Sequence, residues 1–399
     1  MSSPPEGRGS LAVVLAATIL TLAVGYLIKS PCLDGRTWDG GEYRRMCYSD
    51  VAALYGSADR DRGLTADRIP FLEARNEYPA LSAMAMWAAA VPSSSFVSFF
   101  NWTAVLLTAS ALAVAWALHR LIGSGALLFA LSPTLALFGF VNWDLLAVAP
   151  ATVATVVFLR GRDLGAGSLL GLGTAAKLYP ALLVPTFAVS RIRDGRGPDA
   201  WKVAAGALGA WAAVNLPFAL AAPGRWSEFY RFSSDRPADW DTVWYALQHH
   251  LGFDWAVPWL NVLAGVVFAV AVVVLWGAVS RIRPGFSPWT FGFPLLVVFL
   301  LTNKVFSPQF GLWLLPWFAL TLPDLRLFAL FEVAQIAVFV TRFQWFVRLL
   351  GVGDGLPFWA FEIAVAARAA ILIACLVVWV RRGRSVPEAR PAPAVGATA

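Results

Sequence analysis

A polar stretch from Lys29 to Pro79 separates the first apolar segment from the rest of the chain, and it holds nine of the 24 acidic residues. A carboxylate here can take a proton from a hydroxyl at a membrane surface. Asp50, within "YSDVAALY", is the candidate base. Val51 and Leu54 separate it from Tyr55, so a short amphipathic helix lying on the membrane would present Asp50 to a cavity. The plain alternative is that Asp50 is one solvated acid among nine. Cys32 and Cys47, in the same stretch, could close a disulfide just ahead of Asp50 if the stretch faces an oxidising compartment.

The other candidates sit at the tips of apolar hairpins. Asp144, in "FVNWDLL", occupies a position where an ionisable group needs water or a partner. It could bind substrate, hold a divalent cation together with a loop acid, or form a structural ion pair with Lys177. Lys177 in "AAKLYPA" and Lys304 in "TNKVFSPQ" are cations flanked by apolar segments, where a lipid phosphate would arrive from the bilayer. Snorkelling to the interface would explain them equally well. Asn142, Tyr179 and Gln309 beside these tips, with Tyr55 and Tyr78 of the first loop, complete the candidate substrate contacts. His249 and His250 could orient a phosphate or an acceptor hydroxyl. Adjacent histidines point in different directions on a helix, and no HExxH or cysteine pair completes a zinc site. No Walker or dinucleotide glycine motif is present. No cofactor is fixed beyond the option of the divalent cation.

The elements that must position these residues are transmembrane helices. Apolar residues make up 59% of the chain and charged residues 14%, well under the share of about 25% in soluble domains. Continuous apolar runs of about 20 residues exclude a β-barrel and predict an all-α, polytopic membrane protein. The formal charge of +7 comes largely from arginines at the ends of these runs, so topology explains it and nucleic acid is not an expected partner.

Residues 11–28 read as an uncleaved first span after a short cytoplasmic head, residues 1–10. Basic clusters at Arg120, Arg160 and Arg162, Arg191 to Lys202, Arg281 and Arg283, and Arg381 to Arg384 belong in the cytoplasm. The first loop (29–79), a second large loop (223–258), the other hairpin tips and a linker from Arg342 to Pro357 then share the outer side. About 12 spans follow within a single domain, 11–380, among them 122–140, 143–159, 180–190, 309–322 and 326–340. Segment 80–91 is too short to cross and reads as a re-entrant or interfacial helix. The Pro- and Ala-rich tail, 381–399, reads as disordered.

The strings "SDVAALY", "NEYPAL", "SPTLALFGFVNWDLLAVAP", "GLGTAAKLYPALLVP" and "NKVFSPQFGLWLLPW" occur in that order over most of residues 45–320. In these the chain resembles the GT-C glycosyltransferases, specifically the actinobacterial-type polyprenyl-phosphate-mannose-dependent mannosyltransferases. The resemblance implies a GT-C-like fold in the cell inner (plasma) membrane, with an extracytoplasmic active site. It also implies inverting transfer of a sugar, mannose by this likeness, from a polyprenyl-phosphate donor to a glycolipid or polysaccharide acceptor. Asp50 matches the family's base, Asp144 the second outer acid, and Lys177 and Lys304 its basic positions. The family's Pro-Pro after the tyrosine is here Tyr78, Pro79 and Ala80. Rival readings are a lipid or solute transporter using Asp144 and Lys177 as ion sites, and a silent scaffold of a cell-envelope assembly.

Overall fold

The computed structural model describes residues 10–33, 38–55 and 65–384. Residues 1–9 of the head and the tail beyond Arg384 lie outside the described residues; Arg381 and Arg382, expected in the disordered tail, are helical. What is described is mostly helical, and no strand forms among those residues. The elements that position the site are α1 (Leu11–Lys29), α2 (Asp50–Leu54), α3 (Ala80–Ala90), α4 (Phe96–Ile122), α5 (Pro133–Phe138), α6 (Leu145–Leu159), α7 (Asp163–Ala176) and α8 (Leu183–Arg193). They continue as α9 (Gly197–Ala221), α10 (Val243–Leu251), α11 (Val257–Ile282), α12 (Gly292–Thr302), α13 (Leu315–Thr321), α14 (Leu325–Leu349) and α15 (Phe358–Arg382).

The bundle has two chemically distinct ends. At one, Arg191 and Arg196 meet Asp163, Arg193 donates to the carbonyls of Phe286 and Pro284, and Arg283 donates to those of Trp379 and Val380. At the other, the first loop meets Asn142, Lys177 and the 229–248 segment around a common cavity. The runs between these ends are α1, α4, the broken run 123–138, α6, α7, the run through α8, α9, α11, α12, the run through α13, α14 and α15, which makes twelve passes among the described residues. Five helical segments are long and apolar enough to cross a membrane by themselves: Leu11–Cys32, Phe96–Ala130, Gly197–Ala221, Val257–Ile282 and Phe358–Arg382. The protein is a multi-pass membrane protein.

Helix α3 does not make the journey. Its 11 residues span about 16 Å, half of a bilayer core of roughly 30 Å. Tyr78 at its start lines the cavity. Just past its end, the Ser93 carbonyl accepts from the Tyr55 hydroxyl, while Trp87 Nε1 donates to the Ala66 carbonyl. Both ends therefore meet the first loop, which leaves Arg120, at the far end of α4, among the other arginines.

Several expected spans differ in form. Segment 122–140 is not one helix: it breaks after Leu131, where Ser132 caps α5 and Pro133 takes its first position without a free N–H. The buried Glu332 of α14 holds this break, accepting from the Ser132 hydroxyl at 2.6 Å and from the Thr134 amide and hydroxyl at 2.8 and 2.7 Å. The runs expected over 180–190 and 309–322 open with 3₁₀ turns, Tyr179–Leu182 and Pro308–Trp313. The span expected over 326–340 continues as α14 to Leu349, so Arg342 is helical and not the start of a linker. Helices α7 and α9 meet backbone to backbone: a Cβ on Gly167 or Gly171 would strike the carbonyl of Val203 or Ala207. This fixes α7, which presents Lys177 at its end.

Candidate active site

A cavity of about 1070 Å³ opens at the loop end of the bundle. Asp50, Tyr48, Tyr78, Asn142 and Lys177 line one side, Arg236, Asp239, Lys304 and Arg342 another, and Phe339, Phe343, Phe346, Leu349 and Leu350 supply an apolar face. Such a space admits a ligand with both polar and apolar parts.

Asp50 opens α2, and its backbone N–H donates to the Val141 carbonyl at 2.8 Å, which docks the first loop on the turn before α6. Its Oδ1 accepts from the Tyr48 hydroxyl at 2.8 Å and its Oδ2 from Asn142 Nδ2 at 2.6 Å. Asn142 Nδ2 also reaches the Tyr78 hydroxyl at 3.0 Å. A carboxylate has about four lone-pair positions, so two donors hold the group and leave it capacity to accept a substrate proton. Burial pushes the Asp50 carboxyl above the ordinary carboxylate range, and the charge of Asp144 adds to this; Tyr48, Asn142 and Lys177 pull the other way. Nearby Asp50 and burial push the Tyr48 hydroxyl up, which keeps it a donor. A base raised toward neutral pH is the better proton acceptor at neutral pH.

Asp144 is wholly buried, and its Oδ1 receives both Lys177 Nζ at 2.9 Å and Trp313 Nε1 at 2.7 Å. Lys177 stands over the Phe310 ring at 5.0 Å, with Tyr179 stacked on Trp313 behind it. The ion pair foreseen as one option is therefore present, and Lys177 keeps 19% of its side chain open to the cavity. A divalent cation at Asp144 would compete with this ammonium. Among the described residues no set of three or more ligand groups includes Asp144.

The opposite wall is cationic. Lys304 Nζ donates to the Ser234 carbonyl at 2.8 Å, and burial holds its ammonium below the usual lysine range. Arg342 Nη1 meets Asp241 at 2.8 Å, and its Nη2 lies 3.8 Å from Asp239. Asp241 is buried, and its carboxyl is pushed up to about 6 by that burial against the pull of Arg342. Gln309 also lines the cavity.

The remaining expected contacts lie elsewhere. Tyr55 stacks on Phe99 at 4.7 Å and its hydroxyl turns toward Ser93, so it does not line the cavity. His249 and His250 end α10 on the exposed surface, also outside the lining. His250 Nε2 lies 2.7 Å from Glu362 Oε1, and the ligand atoms of His249, His250 and Glu362 fall within 4.8 Å of one another. Cys32 and Cys47 form a disulfide with Cα atoms 5.6 Å apart, which ties the end of α1 to the strand of loop before Asp50. Sequence reasoning passed over Tyr48, Trp313, Arg236 and Arg342. The first lies two residues before Asp50 and the second inside a quoted string, while Arg342 was an arginine in an apolar run, itself a signal.

The sequence model of glycosyltransferase family 87 matches residues 76–308, more than half of the chain. That segment carries Tyr78, Asn142, Asp144, Lys177 and Lys304, and begins after Asp50. No curated protein matches the chain. Among solved structures it is similar to ArnT from Cupriavidus metallidurans in the apo state, with 13% identity, a TM-score of 0.44, and coverage of 93% of this chain and 78% of that one. The same protein bound to undecaprenyl phosphate aligns with a TM-score of 0.42, again at 13% identity and the same coverage.

Proposed function

The chain belongs to glycosyltransferase family 87, and from that premise we propose that it transfers a sugar, mannose in the first instance, from a polyprenyl phosphate to a hydroxyl of a glycolipid or other cell-envelope acceptor. Asp50 takes the proton of the acceptor hydroxyl as the acceptor oxygen bonds to the anomeric carbon. The bond from that carbon to the phosphate oxygen breaks, the phosphate leaves with the electron pair, and the configuration inverts. The observation that carries this reading is the juxtaposition in one cavity of a two-point-anchored carboxylate, Asp50, with a cationic wall and an apolar face. Lys177, Lys304, Arg236 and Arg342 would stabilise the departing phosphate, and the phenylalanines of α14 would take the first isoprene units. The arginine-rich end belongs in the cytoplasm by the charge rule, which supports a cavity opening on the outer face of the plasma membrane.

The test is transfer from polyprenyl-phosphate mannose to a membrane glycolipid extract by the purified protein in nanodiscs. Asp50→Asn is expected to lower the rate by about 10³-fold or more, within the range of what a general base contributes. Substrate movement without transfer, unaffected by Asp50→Asn, would instead make the protein a transporter.

A further inference from the structure

Lys29, the last residue of α1, is wholly buried, yet neither the mechanism above nor the family match uses it. Its Nζ donates to the Tyr48 carbonyl at 3.0 Å and stands 5.3 Å from the centre of the Phe339 ring of α14. That is its one hydrogen bond among the described residues, and an ammonium has three donors. A buried cation so thinly satisfied is costly unless an anion lies near, and the anion whose field reaches it is Asp50. The two are also joined through one residue: Lys29 holds the carbonyl of Tyr48, and the hydroxyl of Tyr48 holds Asp50. Lys177, the other cation whose charge reaches Asp50, is already paired with Asp144.

We infer that Lys29 is a positioning residue for Asp50: from beneath the loop, its ammonium fixes Tyr48 against the carboxylate and supplies positive charge that no closer acid neutralises. This rests on Asp50 being the base. The charged and titratable groups facing Asp50 are Tyr48 and Tyr43 from its own loop, Tyr78 from the start of α3, Asp144 from the start of α6, Lys177 from the end of α7 and Lys29 from α1. Arg342 of α14 acts through Tyr48. Removing Lys29 therefore removes one of two nearby cations and leaves every opposing group in place.

The experiment compares Lys29→Met, Lys29→Arg and Tyr48→Phe in the full chain in nanodiscs. The first readout is the infrared carboxylic-acid band of Asp50, identified by its loss in Asp50→Asn and followed against pH. The second is the pH dependence of transfer. Lys29→Met should move the Asp50 titration upward by up to about one unit, which corresponds to at most about 1.4 kcal/mol of lost charge stabilisation. Transfer on the acidic limb, below the Asp50 pKa, should fall by up to about tenfold, with KM for the donor held within about twofold. Lys29→Arg should restore most of the shift, and Tyr48→Phe should reproduce part of it. An unchanged Asp50 titration in a folded Lys29→Met protein overturns the inference, as does loss of thermal stability alone. Should Lys29→Met not fold, Tyr48→Phe without any shift of the Asp50 titration would overturn it as well. The infrared band reports on Asp50 even if no sugar is transferred, so failure of the glycosyl-transfer reading is distinguishable from failure of this one.

Discussion

Helix α7 carries an ion pair at each end, and the two are built differently. At its start, Asp163 meets Arg191 Nε at 2.7 Å through Oδ1 and Arg196 Nη2 at 3.0 Å through Oδ2, so both oxygens are used. Arg191 is fully buried against the Phe158 ring and also donates to the Phe158 carbonyl. At the other end, Asp144 receives Lys177 and Trp313 on one oxygen, its second oxygen has no partner among the described residues, and Lys177 opens on the cavity. The same residue classes thus make a closed joint at one end and an open one at the other. Incomplete satisfaction beside a cavity is where ligand chemistry can enter, and complete satisfaction is what a joint needs.

Substitutions that remove the cation at each end should separate the two roles. Lys177→Met should lower transfer per folded molecule by about 100-fold or more, the scale of a lost electrostatic contact to a leaving group. Arg191→Met should leave transfer per folded molecule within about twofold while lowering stability by roughly 3 kcal/mol, because Asp163 loses a buried partner. Thermal unfolding and initial rates on the same preparations measure both; equal loss of rate in the two variants would erase the distinction.

A finer division comes from pH. On the proposed mechanism transfer needs Asp50 ionised, so the rate should be high above its raised pKa and fall as pH drops through it. Asp144 raises that pKa and Lys177 lowers it, so Asp144→Asn should move the acidic limb to lower pH and Lys177→Met to higher pH, each by up to about one unit. Limbs that move the same way would show that the pair acts as one group. The smallest effects belong to residues turned away from the cavity. Tyr55→Phe should cost about 1 kcal/mol of stability through its lost hydrogen bond, and His249→Ala and His250→Ala should leave rates within about twofold.

The site was legible where the sequence makes charge conspicuous. Asp144, Lys177 and Lys304 stand at apolar hairpin tips, and an ionisable group there has few explanations. Asp50 was harder to pick from nine acids by composition, and its two anchors explain its place: Tyr48 is a loop aromatic among others, while Asn142 comes from 92 residues away. Arg342 looked like the beginning of a loop because an arginine ends an apolar run. In the protein Asp241, from the second large loop, pairs with it and lets α14 continue past it. Hydropathy read 122–140 as one span because the run is apolar throughout, although "LSP" at 131–133 spells a cap followed by a proline. Hydropathy also cannot see that Tyr55 packs on Phe99 and that the two histidines face outward, since orientation within a loop depends on packing partners that lie far off in sequence.

The Glu332 cap on α5 has a further consequence, for the order of assembly. Ser132 and its acceptor Glu332 are 200 residues apart. A chain emerging from the ribosome makes the broken run that ends at Asn142 and Asp144 long before α14 exists. Until Glu332 arrives, the first turn of α5 has no acceptor for Thr134, and the run is free to tilt. The anchors of Asp50 therefore lock only after more than three quarters of the chain has been synthesised. A chain truncated before Glu332 would hold every cavity residue up to Trp313 and still lack a fixed site.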